Sequence, residues 1–473
     1  MLTYSLDERS TVPLYEQLYR LIRADILGGV LKTGERLPSR RAFSQHLGIS
    51  SMTVSGAYAQ LQSEGYIEAV SRSGYYVCAV PQRPARPADT ATAVTAAPQL
   101  HAPAADFTTN RTLPERFPFS VWSHIMRGVL NSRQEELMIS PPPGGIPALR
   151  EAIAAHLRTF RGMQVDPQQI VIGAGAEYMY GLLVQLNGRG CRFAVEDPGY
   201  HKAARVLESF GAECVYSPMD SRGIVPALLE RDGIQTVLVS PSHHYPTGIV
   251  MPAGRRMELL AWAAKAPGRY IVEDDYDSEF RLSGRPVPSL QSMDTQERVI
   301  YLNTFTKTLA STVRIAYLVL PRPLLARYRN GCSASTVSNF EQYTLAEFIS
   351  GGSFEQHLNR MRRDYRRKRD QLLESIRESP LGSMVTVSGT EAGLHFLMRV
   401  DTPLPDEVLC RRCAEKGILL NPLSRFCHEP RAEAEHCFVM NYSSLGASEI
   451  PGAVALLAEA IGGAEQPRSA DIL

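Results

Sequence analysis

At 473 residues the chain is longer than one ordinary core organises, so a small domain plus a large one is expected. Hydrophobic residues at 44% and charged residues at 21% exclude a disordered or fibrous class, and 50 basic against 49 acidic side chains exclude a global field drawing the chain onto nucleic acid or membrane. No stretch reaches transmembrane length, residues 1–7 lack a signal-peptide pattern, and eight cysteines spread from Cys78 to Cys437 suit free thiols, so a cytoplasmic protein is expected.

Leu14, Leu18, Leu21, Ile22 and Ile26 recur at helical spacing and predict a first helix, stopped by Gly28 and Gly29. A second helix is predicted from about Ser39, which caps it, through Ala42, Phe43 and Leu47 to Gly48. A third runs from Ser50 or Ser51 through Val54, Ala57, Tyr58 and Leu61 to Gly65. The apolar stretches 66–70 and 75–77, split by Ser71-Arg72-Ser73-Gly74, read as a short hairpin. Three helices and a hairpin make a winged helix-turn-helix over residues 1–79.

Residues 80–105 are rich in Pro and Ala with almost no large apolar side chain, a composition that reads as a semi-extended linker. From 106 to 473 the texture changes to unalternated apolar runs separated by helical stretches: 170–172, 193–195, 237–239, 270–272, 299–302 and 315–320. Such runs predict an α/β domain with a mostly parallel sheet covered on both faces. A long helix from about Phe354 and mixed segments to Ile461 predict a smaller α+β C-terminal subdomain. The basic run 360–369 on that helix reads either as a solvated face paired with acidic neighbours or as an auxiliary DNA surface. Cys410, Cys413, Cys427, His428, His436 and Cys437 lack a compact ligand spacing, and no metal site is expected.

A pyridoxal 5'-phosphate site needs an amine for a Schiff base, an acid for the ring nitrogen, a donor to the phenolic oxygen and a phosphate cradle. Lys307, after the run 299–302, supplies the amine. Asp274, at the end of a predicted strand, is placed to pair with the ring nitrogen, and Tyr276 to reach the phenolic oxygen. Gly175 and Ala176 open a helix after the strand 170–172 and offer backbone N–H groups to the phosphate. Thr304 and Arg314 add a hydroxyl and a guanidinium to the same anion. Tyr200 is an aromatic for stacking on the ring.

Leu37-Pro38-Ser39-Arg40-Arg41, Gly48-Ile49-Ser50-Ser51-Met52-Thr53-Val54 and Glu64-Gly65-Tyr66 resemble the GntR-type winged helix. That resemblance implies that the third helix enters the major groove of double-stranded promoter DNA. It places Ser39, Arg41, Ser50, Ser51 and Thr53 toward the DNA, with Arg36, Arg40 and Arg72 on phosphates. Two departures stand out: Ser51 where the family usually has Arg, and Met52 where it has a polar residue. Residues 1–80 hold eight basic and seven acidic side chains, so the DNA argument rests on clustered arginines rather than net charge.

The large domain resembles fold-type I aminotransferases. Pro143-Gly144-Gly145-Ile146-Pro147-Ala148-Leu149-Arg150, Pro241-Ser242-His243-His244-Tyr245-Pro246-Thr247-Gly248 and Glu273-Asp274-Asp275-Tyr276-Asp277-Ser278-Glu279-Phe280 are very similar to the MocR branch of GntR regulators. The resemblance implies a homodimer, with each head packed on its partner's large domain, and Arg425 as the arginine holding an effector carboxylate. Tyr245 replaces the Asn that aminotransferases usually place before Pro-Thr-Gly. The region before Gly145, Ser140-Pro141-Pro142-Pro143, lacks the tyrosine that a neighbouring subunit usually lends to the phosphate. The expectation is a regulator whose domain senses pyridoxal phosphate, or an amino compound such as an amino acid, at Lys307. The alternatives are an active aminotransferase carrying a DNA-binding head and a repressor with a dead domain.

Overall fold

The computed structural model describes residues 2–7, 10–71, 73–79, 103–282, 287–331 and 337–462. The chain divides into two compact units, residues 1–99 and 100–473. Arg72, most of the predicted linker and the last residues fall outside the described ones.

The first unit has helices at Leu14–Leu27, Arg40–Leu47 and Ser51–Ser63 and an antiparallel hairpin of Ile67–Val70 with Gly74–Val77. Its core buries Leu18 and Ile22 from the first helix against Phe43, Val54, Tyr58 and Leu61. Ser39 accepts from Ala42 N at 3.2 Å and Ser50 from Thr53 N at 3.1 Å, so both later helices begin at a serine cap. The hairpin turn is tighter than the sequence suggests, because Gly74 already belongs to the second strand.

In the second unit the central sheet has eight strands in the order Ile170–Gly173, Ala316–Val319, Val299–Thr304, Tyr270–Asp274, Thr236–Val239, Arg192–Asp197, Glu213–Asp220 and Gly223–Ile224. The strands from Val299–Thr304 to Glu213–Asp220 are parallel, and Ala316–Val319 runs antiparallel to both neighbours. Glu213–Asp220 was not expected, because it is only half-buried near the sheet edge and lacks a continuous apolar run. Ala105, assigned to the linker from sequence, is buried, and Ala105–Asp106 pairs in parallel with Ile418–Leu419. The linker therefore ends before Ala105. A four-stranded antiparallel sheet (Val385–Ser388, His395–Val400, Cys437–Asn441, Asn421–Pro422) and the helix Ser353–Glu378 complete the unit.

The basic run on that helix follows neither expectation fully. Arg367 pairs with Asp364 at 2.9 Å, but Arg362 Nε donates to Glu279 O at 2.6 Å, Arg366 Nη2 to Leu282 O at 2.7 Å and Arg369 Nη1 to Thr390 O at 3.0 Å. Three guanidiniums thus tie loop carbonyls to the helix. Among the described residues no helix is long and apolar enough to cross a membrane.

Candidate functional site

A cavity of about 430 Å³ opens at the carboxyl ends of the parallel strands, where ligands collect in sheets of this kind. Lys307, Asp274, Tyr276, Tyr200, Ala176, Thr304 and Arg314 all line it. Lys307 follows the strand Val299–Thr304, and its Nζ donates to Asn110 O at 3.3 Å. Burial lowers its amine below the ordinary lysine range, with the charge of Asp277 opposing.

The stretch 273–279 holds five acids, and each has a different partner. Strand alternation sends neighbouring side chains to opposite faces. Glu273 accepts from Leu290 N at 2.8 Å and Gln291 N at 2.9 Å, and Asp275 meets Arg161 at 2.9 Å and the Tyr301 hydroxyl at 2.6 Å. Asp274, between them, faces the cavity and accepts from the Tyr180 hydroxyl at 2.7 Å. Burial pushes its carboxyl up to about 7, against the Tyr180 bond, with Asp275 and Asp277 adding to the rise. Glu279 accepts from Asn303 at 3.2 Å, and Asp277 meets His243 at 2.9 Å. Tyr276 is half-buried, with its hydroxyl 3.3 Å from His243 Nδ1.

Near the cavity two residues with positive φ, Gly175 and Arg314, stand against each other. Gly175 caps the helix Ala176–Asn187 with φ 86°, and a Cβ there would stand 2.7 Å from Arg314 Nη2. Arg314 itself adopts φ 50°, unusual for a side-chain-bearing residue, and donates to Ala174 O at 3.4 Å. A glycine is needed where a guanidinium closes over a helix N-terminus, and that is what an anion cradle requires. Thr304 Oγ1 lies 2.7 Å from Thr306 Oγ1 and 3.3 Å from Ile315 O, so Thr306, absent from the expectation, shares the position with Thr304. Glu177 in the same helix turn pairs with Lys202 and lies 3.6 Å from Arg314.

Tyr200 is half-exposed and meets Tyr245 edge-on at 6.3 Å. Arg425 is not among the residues lining the cavity; it is exposed on the short turn Leu423–Phe426 and contacts Asn421 Oδ1 at 3.5 Å. Sequence reasoning missed Tyr180, Thr306, Asn110 and Asn441. Asn110 Nδ2 donates to Asn441 Oδ1 at 2.6 Å, which brings the segment after the linker and the small subdomain to one wall. Glu196 and His244 also face the cavity, 3.4 Å apart. Burial pushes the acid up to about 8 and the imidazole down to about 3, so both are biased toward their neutral forms.

In the winged helix unit Arg36, Arg40, Arg41, Ser50, Ser51 and Met52 are exposed, with Met52 at 80%. The Arg40 guanidinium lies over the Tyr75 ring at 5.8 Å, and Arg36 bridges to Tyr76 of the wing. The Ser50 and Thr53 hydroxyls are 2.9 Å apart, engaged in the helix cap. Ser51 and Met52 are left facing out at the helix start.

The model for bacterial regulatory proteins of the gntR family matches residues 14–77, and that for aminotransferase class I and II matches residues 110–436. The chain is 38% identical over 429 residues to the uncharacterized HTH-type transcriptional regulator YhdI of Bacillus subtilis (strain 168), covering 89% of this chain and 91% of YhdI. It is 35% identical over 454 residues to the probable rhizopine catabolism regulatory protein MocR of Rhizobium meliloti, covering 90% of each. Among solved structures, kynurenine aminotransferase of Pyrococcus horikoshii matches with a TM-score of 0.66 at 24% identity, over 77% of this chain and 92% of that one, a likeness of fold alone.

Proposed function

The chain belongs to the MocR-type regulators, in which a GntR helix-turn-helix is fused to an aminotransferase-like domain, and we propose that it reads pyridoxal 5'-phosphate through Lys307 and answers on promoter DNA. The convergence of Lys307, Asp274, Tyr276 and Arg314 on one cavity carries this reading. When bound, pyridoxal phosphate supplies an aldehyde on an electron-withdrawing ring.

The amine of Lys307 is buried and held toward its free-base form, ready for the aldehyde. Asp274 would pair with the ring nitrogen and Tyr276 with the phenolic oxygen. Gly175 and Ala176 N–H groups, Thr304, Thr306 and Arg314 would hold the phosphate. Tyr200 would stack on the ring.

Between pyridoxal phosphate itself and an amino acid as the signal, one observation favours the former. Among the described residues that line the cavity the lysines and arginines are Lys202, Lys307 and Arg314; the last two are assigned to the cofactor, and Lys202 pairs with Glu177. Arg425, the arginine that resemblance assigns to an effector carboxylate, contacts Asn421 instead. A carboxylate clamp for turnover is therefore weakly provided, and the domain acts as a sensor rather than an aminotransferase. Phe119 at 64%, Met138 at 74% and Ile139 at 65% are exposed apolar side chains of the large unit, and a homodimer that covers them is part of this reading.

The test is fluorescence anisotropy of the purified protein on DNA from upstream of its own gene, with and without pyridoxal phosphate. A cofactor-dependent shift that Lys307→Ala removes supports the reading. Tight binding indifferent to the cofactor transfers the role to an amino compound, and transfer of amino groups at useful rates restores the enzyme.

A further inference from the structure

Behind Tyr276 lies a buried pair to which neither the cofactor nor the DNA assigns a part. His243 and Asp277 are 3% and 2% exposed, and His243 Nδ1 stands 2.9 Å from Asp277 Oδ2. The Tyr276 hydroxyl reaches the same place, 3.3 Å from His243 Nδ1, and the Asp277 carboxylate acts on it from beside that contact. The pair cannot shift aside. His395 packs on the His243 ring at 4.5 Å, with its own Nε2 3.1 Å from Pro246 O, and a Cβ on Gly393 would overlap the His243 ring. Gly393 holds φ 70°, a backbone that suits the absence of a side chain.

A hydroxyl has one proton. If Tyr276 gives it to Asp277, its oxygen turns lone pairs toward the cavity, and it meets the phenolic oxygen as an acceptor rather than a donor. We propose that Asp277, steadied by His243, is a positioning residue that fixes the direction of the Tyr276 hydrogen bond and so sets how firmly the Lys307 nitrogen keeps its proton once pyridoxal phosphate is bound. This rests on the cofactor reading of the cavity. A donor on the phenolic oxygen would withdraw the electron density that holds that proton; a tyrosine committed to Asp277 does not. The negative charge of Asp277 favours the proton in the same direction, since it also acts on Lys307. Other charged or titratable groups face the cluster too: Asp274, Tyr245 and Lys307 from the cavity, His244 and His395 beside His243, and Arg161 and Arg281 behind it. None of these changes in the variants below.

The experiment is a pH titration of the visible absorption band of pyridoxal phosphate bound to the full-length protein. Wild type is compared with Asp277→Asn, Tyr276→Phe and the double variant. Asp277→Asn keeps the shape and is expected to lower the midpoint by about one pH unit. In the Tyr276→Phe background the same change is expected to shift the midpoint by less than half as much, because the residue it acts through is gone. A shift of equal size in both backgrounds overturns the proposal and makes Asp277 a through-space charge on Lys307. If Asp277→Asn does not fold, His243→Asn, which removes the support but not the carboxylate, must lower the midpoint in the same direction, and an unmoved midpoint overturns the proposal. No visible band in wild type would overturn the cofactor reading and this inference with it, whereas a wild-type band with an unmoved midpoint in a folded Asp277→Asn overturns this inference alone.

Discussion

Tyr180 donates a 2.7 Å hydrogen bond to Asp274 from the same helix whose N-terminus Gly175 caps. One rigid element therefore serves two parts of the cavity: its start lies beside Arg314, and one turn later Tyr180 holds Asp274. Tyr180→Phe removes a donor from a buried carboxyl, a loss of about 1.5–3 kcal/mol for a hydrogen bond to a charged group. Pyridoxal phosphate affinity is expected to fall by roughly tenfold or more on that scale, measured by absorbance titration. Unchanged affinity would mean that Asp274 does not pair with the ring.

The same carboxyl gives a pH prediction for the cofactor-free protein. Burial raises Asp274 to about 7 in the fold, whereas an unfolded aspartate titrates near about 4. Between these values the folded state keeps a proton that the unfolded state has released, so this group takes stability away as pH rises through about 4 to about 7. Asp274→Asn carries no such charge. The variant is expected to be more stable than wild type at pH about 8, with the gap closing as the pH approaches about 4, while its cofactor binding is lost. Urea melts at the two ends of that range check it; a gap that is constant with pH would refute it.

Gly175→Ala is expected to separate the phosphate from the rest of the cofactor. The backbone at φ 86° suits only glycine, which alone costs about 1–3 kcal/mol, and the new methyl would displace Arg314 from 2.7 Å. Binding of pyridoxal phosphate should weaken by more than tenfold on that estimate, and binding of pyridoxal, which lacks the phosphate, should change little. Equal losses for both would place the damage in the fold rather than in the cradle.

Glu177→Gln tests the cradle in the opposite sense. Glu177 lies 3.6 Å from Arg314 and also pairs with Lys202, and these two cations hold its carboxyl below the ordinary range. Removing the carboxylate leaves Arg314 to the phosphate alone. Tighter binding of pyridoxal phosphate with unchanged binding of pyridoxal is the expected outcome in a side-by-side titration.

On DNA, the two neighbouring arginines should behave differently. Arg41 is exposed, and Arg41→Ala is expected to weaken binding across all sequences and reduce the salt slope by about one. Arg40 packs over Tyr75, so Arg40→Ala should also lower the melting temperature of the winged helix unit. Anisotropy over a range of salt, with thermal melts alongside, distinguishes them.

The winged helix was legible because its helices announce themselves locally: apolar residues at helical spacing and serine caps at Ser39 and Ser50 need no distant partner. That Lys307, Asp274, Tyr276 and Arg314 come near one cavity could be anticipated for a related reason, since Asp274 ends a strand, Tyr276 and Lys307 follow strands, and Arg314 lies between two, and the apolar runs of those strands mark where the chain reaches the cavity. The Glu213–Asp220 strand was not, because a half-buried strand next to the sheet edge carries no continuous apolar signal. Tyr180, Asn110 and Asn441 were also illegible. Tyr180 lies 94 positions from Asp274, and Asn110 331 positions from Asn441, so only folding makes them neighbours. The sequence by itself determined two domains, the mostly parallel sheet and the residue types that a pyridoxal phosphate site needs, because these follow from periodicity and local chemistry. Only the tertiary structure decided which partner each acid of the 273–279 stretch receives, that Arg425 contacts Asn421 and is not among the residues lining the cavity, and that Asp277 and His243 close on Tyr276. Those choices depend on burial and on contacts between distant segments, which no local pattern encodes.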